Sequence, residues 1–487
     1  MAAVGVVFPT KSGLYYGGAW HEPRNAKATE IFSPATGEPL MTIQEGSAAD
    51  VPAAVAAAQA GFAKWRDVPP LERARLLKEL ARIVRANSKD IALLDAMDCG
   101  NPISELLFDV ETTAFLLEYF AGLVTEMKGA SVPMGPDAVS FSVREPYGVV
   151  ARIAPFNHPF LLSVGKAAAV LAAGNALIIK PSEQTPLSVL RAAELFDDVL
   201  PAGVFNVLPG DRALGAALVA DPGVSMVGLI GSISTGRAVM RTASDTLKRV
   251  LLELGGKNAL IAFPDTDPDK IAGAMVQGMN FTWCGQSCGS TSRAFVHDDI
   301  YAAVLERLPA HIARYRPGLP NDPLTTMGSL ADRKQLERAW SYIDNAKAEG
   351  ARLLCGGHQP DDPALKNGCF LMPTIFADVT MEMRIAREEI FGPILSVLRW
   401  DDEVEMLRQV NQVEYGLTCA IWTRDVAKAH RLASRVEAGF CWINDVVRHA
   451  VGSPFGGYKQ SGIGREECLE ELLSFTQGKN IFINLNN

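Results

Sequence analysis

The sequence predicts a protein with two α/β domains, the first built around a parallel sheet, and a small additional β element. From Tyr147 onward, short apolar runs end in turn residues and alternate with stretches of helix length; these runs are GVVARIAPF, NALIIKPS, FNVLPG and VGLIGS. A second series begins near Gly255 with NALIAF and continues through RAFVHD, FLMPTIF and LSVLRW. Alternating strands and helices are typical of parallel sheets, and 487 residues suffice for two or three domains.

The remaining segments have different patterns of apolar and polar residues. Apolar residues recur at helical spacing from Leu71 to Asp98, so the N-terminal third is predicted to be helical. The alternating segment VSFSVREP, between Gly129 and Glu145, and the C-terminal NIFINL have strand character. We expect these two segments to pair at a subunit edge.

Composition excludes several classes of function. A net charge of −9 and a pI near 5.4 argue against nucleic-acid binding, which needs clustered Lys and Arg. No apolar run reaches the roughly 20 residues that cross a bilayer, and the first residues lack the features of a secretion signal. The sequence therefore predicts a cytoplasmic protein with a small-molecule partner and no membrane or nucleic-acid partner.

Cysteine usage predicts neither disulfides nor metal. The eight cysteines are scattered through a long chain, unlike the dense frameworks of small secreted proteins. No pair of CxxC or HxxxH elements has metal-ligand spacing. We expect free thiols and no metal site.

The predicted strands place polar and glycine residues where ligands bind. In open α/β sheets, ligands lie beyond the carboxyl ends of the strands. Asn157, Lys180 and Gly231 fall at such ends. A nucleotide site is expected there.

Two stretches carry candidate reactive groups. Cys288 lies in FTWCGQSCGSTSRAFV, at the expected start of a helix, where backbone N–H groups and the helix dipole favour a thiolate. Glu253 precedes a Gly-Gly turn in LLELGGKNALIAF, and a poorly solvated carboxylate can act as a general base. Each residue alone is more often inert, as a buried thiol or a solvated surface charge.

These stretches, with APFNHP, IIKPSEQTP, VGLIGSISTGR, EEIFGPILSV and SPFGGYKQSGIGRE in that order, resemble the aldehyde dehydrogenase superfamily across nearly the whole chain. The resemblance implies that Cys288 attacks an aldehyde and that Asn157 and the Cys288 N–H stabilise the oxyanion. It further implies that Glu253 activates the water that hydrolyses the thioester. A carboxylic acid is the expected product.

The same resemblance implies a cofactor site. Gly231 and Ser232 match the turn that binds the pyrophosphate at a helix N-terminus. Lys180 and Glu183 match the residues that hold the adenosine ribose, and a carboxylate there repels a 2′-phosphate, so NAD is favoured while NADP is possible. Glu389 matches the ligand of the nicotinamide ribose, with Phe391 and Phe156 assigned beside it.

The expected substrate pocket departs from many relatives. It is assigned to His158, Gly165, Trp283, Arg448, His449 and Phe455. Gly165 stands where relatives carry a bulky side chain, which predicts room for a larger substrate. Arg448 and His449 either meet a polar or anionic substrate group or form an exposed basic pair at the rim. An aromatic cage for betaine aldehyde looks incomplete, so a bulky aromatic aldehyde or a semialdehyde ranks first.

The resemblance also implies a subunit in three parts. A Rossmann-like NAD-binding domain is expected over residues 1–128 and 147–254, a catalytic domain over 255–469, and an oligomerisation element over 129–146 and 470–487. A homodimer or homotetramer is expected. Two alternatives stay open: acyl transfer to coenzyme A, against which Glu253 argues, and a catalytically idle NAD-binding structural protein.

Overall fold

The protein is described by a computed structural model that covers residues 5–486. Its strands, in chain order, are β1 Leu14–Tyr16, β2 Ala19–His21, β3 Lys27–Phe32, β4 Pro39–Glu45, β5 Ser131–Val132, β6 Ala138–Pro146, β7 Val149–Ile153, β8 Ala176–Lys180, β9 Phe205–Val207, β10 Met226–Ile230, β11 Arg249–Glu253, β12 Ala259–Ala262, β13 Arg293–His297, β14 Arg352–Cys355, β15 Thr374–Ala377, β16 Ile394–Trp400, β17 Tyr415–Gly416, β18 Thr418–Trp422, β19 Phe440–Ile443, β20 Tyr458–Lys459, β21 Gly462–Ile463 and β22 Thr476–Asn484.

The helices alternate with these strands through most of the chain. They are α1 Val51–Trp65, α2 Pro70–Ala86, α3 Ser88–Cys99, α4 Ile103–Gly122, α5 Ala167–Ala172, α6 Leu187–Phe196, α7 Arg212–Ala220, α8 Ile233–Ser244, α9 Pro268–Gly278, α10 Asp298–Ile312, α11 Arg333–Ala348, α12 Arg384–Arg387, α13 Glu403–Asn411, α14 Val426–Ala433 and α15 Leu469–Ser474. Single helical turns lie at Val124–Glu126, Leu161–Gly165, Phe281–Trp283 and Pro363–Leu365.

The first sheet has the order β2-β1-β9-β8-β7-β10-β11-β21. Its five central strands, β9 to β11 in that order, are parallel, as the sequence predicts. Because the chain winds outward from β7 in both directions, a crevice opens at the carboxyl ends of β7 and β10. Every residue of β8 and β10 is buried, which explains their continuous apolar runs.

The second sheet has the order β14-β15-β16-β13-β12-β18-β19 and is parallel except for the edge strand β14. Helices cover it and form the second large apolar core. The predicted α/β class, with two parallel-strand sheets, is therefore confirmed. Near the C-terminus, β21 returns to the first sheet and pairs with the end of β11.

A separate sheet of three strands has the order β22-β6-β5. The strand character of both segments is confirmed, and the two pair antiparallel with each other within one chain, from Thr476 opposite Pro146 to Asn484 opposite Ala138. Val139, Phe482 and Ile483 of this sheet are exposed apolar side chains.

Three local details differ from the predictions. Strands β1 to β4 precede the N-terminal helices, and β11 was not anticipated as a strand. The Leu71–Asp98 stretch is helical but broken at Asn87, whose side-chain amide bonds the carbonyl of Ile83 and ends α2.

No helix within residues 5–486 has both the length and the apolar character needed to span a bilayer.

Candidate active site

Cys288 lies in the loop between the turn at Phe281–Trp283 and β13, and its side chain is partly accessible. Asn258 holds this loop, because its side-chain amide donates to the Cys288 carbonyl at 2.7 Å. Gln286 anchors the other side: its side-chain oxygen accepts from the backbone N–H of Ala331 at 3.0 Å. The expected helix start at Cys288 is wrong, since the residues that follow form a turn leading into a strand.

The thiol of Cys288 is also not the preformed thiolate that the sequence suggested. Burial raises its pKa well above the usual range, and the negative charge of Glu253 raises it further. A hydrogen bond from the Gly289 backbone N–H lowers the pKa, but it is smaller than these two effects and does not offset them. The resting thiol is therefore protonated at neutral pH and needs a base before it can attack a carbonyl.

Glu253 is the candidate for such a base. It ends β11, between Ile230 of β10 and Gly462 of β21, and is 4% exposed. Burial and the charge of Glu466 raise its pKa to about 8. Its Oε1 atom is buried and makes no hydrogen bond to any residue of the described range, so it can accept one from a thiol or a water.

Asn157 follows β7 and faces the nucleophile loop. It is buried, and its side-chain amide donates to the Gln286 carbonyl at 2.9 Å, two residues before Cys288. Its own carbonyl accepts from the Asn101 side chain at 2.8 Å. An amide nitrogen has two hydrogens, so one remains for a carbonyl oxygen near the thiol.

The residues expected at the cofactor's phosphate and ribose lie along the carboxyl edge of the first sheet. Lys180 ends β8 and is buried, and Glu183 is exposed beyond it. Gly231 follows β10, and Ser232 begins α8 with its hydroxyl accepting from the Thr235 N–H at 3.2 Å. An uncovered helix N-terminus beside the crevice suits a pyrophosphate.

Glu389 and the aromatic pair connect this edge to the catalytic residues. The Glu389 carboxylate accepts from the Gly256 N–H at 3.0 Å and occupies the space that a Cβ on Gly255 would need. The rings of Phe156 and Phe391 meet edge to face at 5.6 Å. The Glu389 carboxylate thus lies against the Gly-Gly turn that follows Glu253.

Of the expected substrate-pocket residues, His158 and Trp283 lie together, with ring centroids 4.1 Å apart. Trp283 also borders a hollow of about 610 Å³. The room expected at Gly165 is not open: a Cβ there would lie 3.0 Å from a Leu161 methyl and 3.3 Å from one of Leu116. Neighbouring leucines fill the space that a larger side chain would take.

The C-terminal pocket residues form a rim. The rings of His449 and Phe455 are 4.6 Å apart, and Phe455 is buried beneath. His449 lies 3.4 Å from the Glu467 carboxylate. The Arg448 side chain is 79% exposed and lies near Asp445, as expected for a rim residue.

Known proteins resemble this chain over nearly its whole length. The sequence model of the aldehyde dehydrogenase family matches residues 20–481. The chain belongs to the aldehyde dehydrogenase family. It is 48% identical to aldehyde dehydrogenase tropH of Talaromyces stipitatus over 98% of this chain and 94% of that protein.

Solved structures agree. Aldehyde dehydrogenase from Bacillus cereus in its NAD⁺ complex superposes with a TM-score of 0.94 at 36% identity, covering 98% of this chain and 97% of that one. Betaine aldehyde dehydrogenase from Staphylococcus aureus, also in complex with NAD⁺, gives 0.95 at 34% identity, covering 98% and 96%.

Sequence reasoning missed a buried charge cluster in this aldehyde dehydrogenase. Arg152 and Lys166 both bind Glu466, at 3.0 and 3.1 Å, and Lys166 also binds Glu467 at 3.1 Å. The cluster acts on Glu253, whose pKa Glu466 raises and Lys166 lowers. A lysine inside the apolar run GKAAAVLAA was the available signal.

The pKa of Glu253 predicts how the aldehyde dehydrogenase responds to pH. Since burial raises this pKa to about 8, the basic carboxylate form is lost as pH falls below that value. We expect kcat to rise with pH through about 8 and to fall about tenfold per pH unit on the acid side. Stopped-flow NADH formation at saturating aldehyde measures the profile, and a rate independent of pH from about 6 to 9 would contradict it.

The turn after Glu253 predicts a second effect. In Gly256→Ala, the new Cβ would lie 2.6 Å from both the Cys288 carbonyl and the Asn258 side-chain oxygen, too close for either to stay in place. Because small displacements of reacting groups cost about a hundredfold in rate, we expect kcat to fall by about that factor. Gly122→Ala, at the end of α4 with open space around it, is the control. Equal activity in both variants would show that the loop tolerates the shift.

Proposed function

We propose that this enzyme oxidises an aldehyde to a carboxylic acid with NAD, through a thioester on Cys288. The observation that carries the proposal is the buried Glu253 carboxylate, with a free oxygen, beside the protonated thiol of Cys288. Asn157 lies across the same loop with one amide hydrogen available. Nucleophile, base and oxyanion donor are thus held by hydrogen bonds between elements far apart in sequence.

The first chemical step uses all three groups. Glu253 takes the thiol proton while the sulfur attacks the aldehyde carbon, forming a C–S bond and moving the carbonyl electron pair to oxygen. The Asn157 amide and the Cys288 N–H hold the resulting oxyanion. A bound NAD would supply the acceptor for the hydride that this carbon loses, and Cys288 would then carry the thioester.

The second step releases the product. Glu253 first releases to solvent the proton that it took from the thiol, and its carboxylate then takes a proton from water as the water oxygen attacks the thioester carbon. The C–S bond breaks, the carboxylic acid leaves, and the sulfur returns as a thiolate that is reprotonated. Burial of Glu253 strengthens it as a base relative to an ordinary surface carboxylate, because its pKa is about 8.

The residues present fit NAD. The α8 N-terminus with Gly231 and Ser232 suits the pyrophosphate, and Lys180 with Glu183 suits the adenosine ribose. Glu389, held over the Gly255 turn, suits the second ribose, with Phe391 and Phe156 beside it. We propose NAD over NADP because the Glu183 carboxylate would repel a 2′-phosphate; the NAD⁺ complexes of two relatives support the choice.

For the substrate we propose a bulky aromatic aldehyde or a semialdehyde, with a betaine-aldehyde-type substrate as the second candidate. Trp283 and His158 supply two rings in tilted contact, 4.1 Å between centroids, which suit an aromatic group. The second candidate rests on the likeness to betaine aldehyde dehydrogenase. Acyl transfer to coenzyme A is disfavoured by Glu253, and an idle binding protein by the presence of every reacting group.

The test is NADH formation from NAD or NADP with a panel of aliphatic, aromatic, quaternary-ammonium and carboxylated aldehydes, with and without coenzyme A. We expect NADH with NAD and aldehyde alone, and a free acid as product. A requirement for coenzyme A would favour acyl transfer. Binding of NAD without turnover of any aldehyde would favour the idle protein.

We also propose that the three-stranded sheet, within residues 129–146 and 470–487, joins subunits into a homodimer or homotetramer. Its exposed apolar side chains and open strand edges support this role. Light scattering of the wild type and of Phe482→Lys tests the assembly.

The NAD-binding part then comprises residues 1–128 and 147–254, and the catalytic part comprises residues 255–469. The eight unpaired cysteines fit a reducing, cytoplasmic setting.

A further inference from the structure

A carboxylate holds the imidazole of His158 in the expected substrate pocket. His158 Nδ1 lies 2.9 Å from Asp109 Oδ2, and the Asp109 side chain is only 4% exposed. Asp109 lies on α4, one helical turn after Glu105, which borders the hollow beside Trp283. The pair connects a helix of the N-terminal segment to the residue that directly follows Asn157.

The pair lies next to the segment that leads to Cys288. Asn157 bonds the carbonyl of Gln286, in the loop that carries Cys288, and the His158 ring contacts Trp283, at the end of the turn before that loop. His158 Nε2, the other ring nitrogen, makes no hydrogen bond to any residue within 5–486 and is not fully enclosed. It is available to a molecule that enters this space.

The Asp109 carboxylate determines which hydrogen bond Nε2 can offer. A carboxylate at Nδ1 accepts the ring proton, which leaves Nε2 of the neutral imidazole as an acceptor. Its natural partner is a hydroxyl that donates. A quaternary ammonium group has no hydrogen to donate to Nε2.

We infer that His158, positioned by Asp109, recognises a hydroxyl group on the substrate, and that the enzyme prefers hydroxyl-bearing aromatic aldehydes over the unsubstituted ring. This inference rests on the proposed function and names its substrate class. Asp109 is a positioning residue that acts through its hydrogen bond to the imidazole. The Trp283 ring, packed on His158, provides the apolar surface for the aromatic ring of the aldehyde.

The test compares kcat/KM for benzaldehyde with that for its 2-, 3- and 4-hydroxy isomers. In the wild type, we expect the best hydroxy isomer to exceed benzaldehyde by about ten- to a hundredfold, since one hydrogen bond to a prepared acceptor contributes that much. In His158→Phe and Asp109→Leu, kcat/KM for the best hydroxy isomer should fall to that for benzaldehyde in the same variant, so the ratio is lost. A ratio near one in the wild type, or an unchanged ratio in both variants, would overturn the inference.

A matched control separates recognition from packing. His297 is as exposed as His158, at 16%, and likewise lies near an aspartate, Asp299, and against a tryptophan, Trp400. It is at the far end of β13 from Cys288. His297→Phe should leave the substrate ratio unchanged, and loss of the ratio in this variant would assign the effect to general destabilisation.

A different substrate tests the same inference on the wild-type enzyme, in case a variant does not fold. The methoxy analogue of the preferred isomer lacks the donated hydrogen, so the wild type should treat it no better than benzaldehyde. An equally good methoxy substrate would overturn the hydroxyl preference. Failure of the proposed function is distinct: none of these aldehydes, benzaldehyde included, would then yield NADH.

Discussion

Cys288→Ala is expected to abolish aldehyde oxidation, with kcat lowered by at least about 10⁴-fold. The variant removes the only atom that bonds to the aldehyde carbon in the proposed mechanism, so neither hydride release nor thioester formation can follow. The loop is held by the hydrogen bonds of Asn258 and Gln286, which do not involve the thiol, so loss of the sulfur should leave the loop in place. Steady-state NADH formation measures activity, and thermal unfolding checks the fold.

Cys355→Ala is the matched control. Cys355 is also partly accessible but lies on the edge strand β14 of the second sheet, so full activity is expected. If Cys288→Ala kept activity within about tenfold of the wild type, a covalent step on this sulfur would be ruled out.

Glu253→Gln is expected to separate the two chemical steps. Removing the carboxylate charge removes one of the causes that raise the pKa of Cys288, so the thiol ionises more readily in alkaline solution and can still attack. Alkaline solution does not restore hydrolysis of the thioester in the same way, because glutamine cannot take a proton from the attacking water. We expect a burst of one NADH per site, then a steady state about 10²- to 10⁴-fold slower than the wild type.

The measurement is stopped-flow absorbance at high pH together with intact-protein mass after the burst. The mass should show the acyl group on the protein, and added hydroxylamine should remove it as the hydroxamate. Glu388→Gln is the control. Glu388 precedes Glu389 in sequence and accepts hydrogen bonds from Tyr342 and Arg384, and this variant should behave as the wild type. A normal steady state in Glu253→Gln would assign water activation to another group.

Much of this architecture could be predicted from local patterns. Short apolar runs located β7, β8, β10 and the core strands of the second sheet, since strands buried on both faces are continuously apolar. Strand β11 was not anticipated, although it carries Glu253 at its end. RVLLE is short and begins with an exposed charged residue, and its pairing with β10 decides that it is a strand.

Some residues of the candidate site could likewise be located from the sequence, and others could not. Turn residues at strand ends located Asn157, Lys180 and Gly231, because their positions follow from chain order in a parallel sheet. Asn101, Asp109 and the Lys166–Glu466 pair could not be found in this way. Their roles depend on contacts between segments that only folding brings together.

The sequence by itself determined the fold class and the family and predicted the reacting groups, because strand periodicity, turn chemistry and ordered motifs are local properties of the chain. Tertiary structure decided the protonation of Cys288 and Glu253, the orientation of His158 and the filling of the space beside Gly165. These depend on burial and on charges contributed by distant segments, and neither exists until the two sheets and their helices pack around the loop that carries the nucleophile.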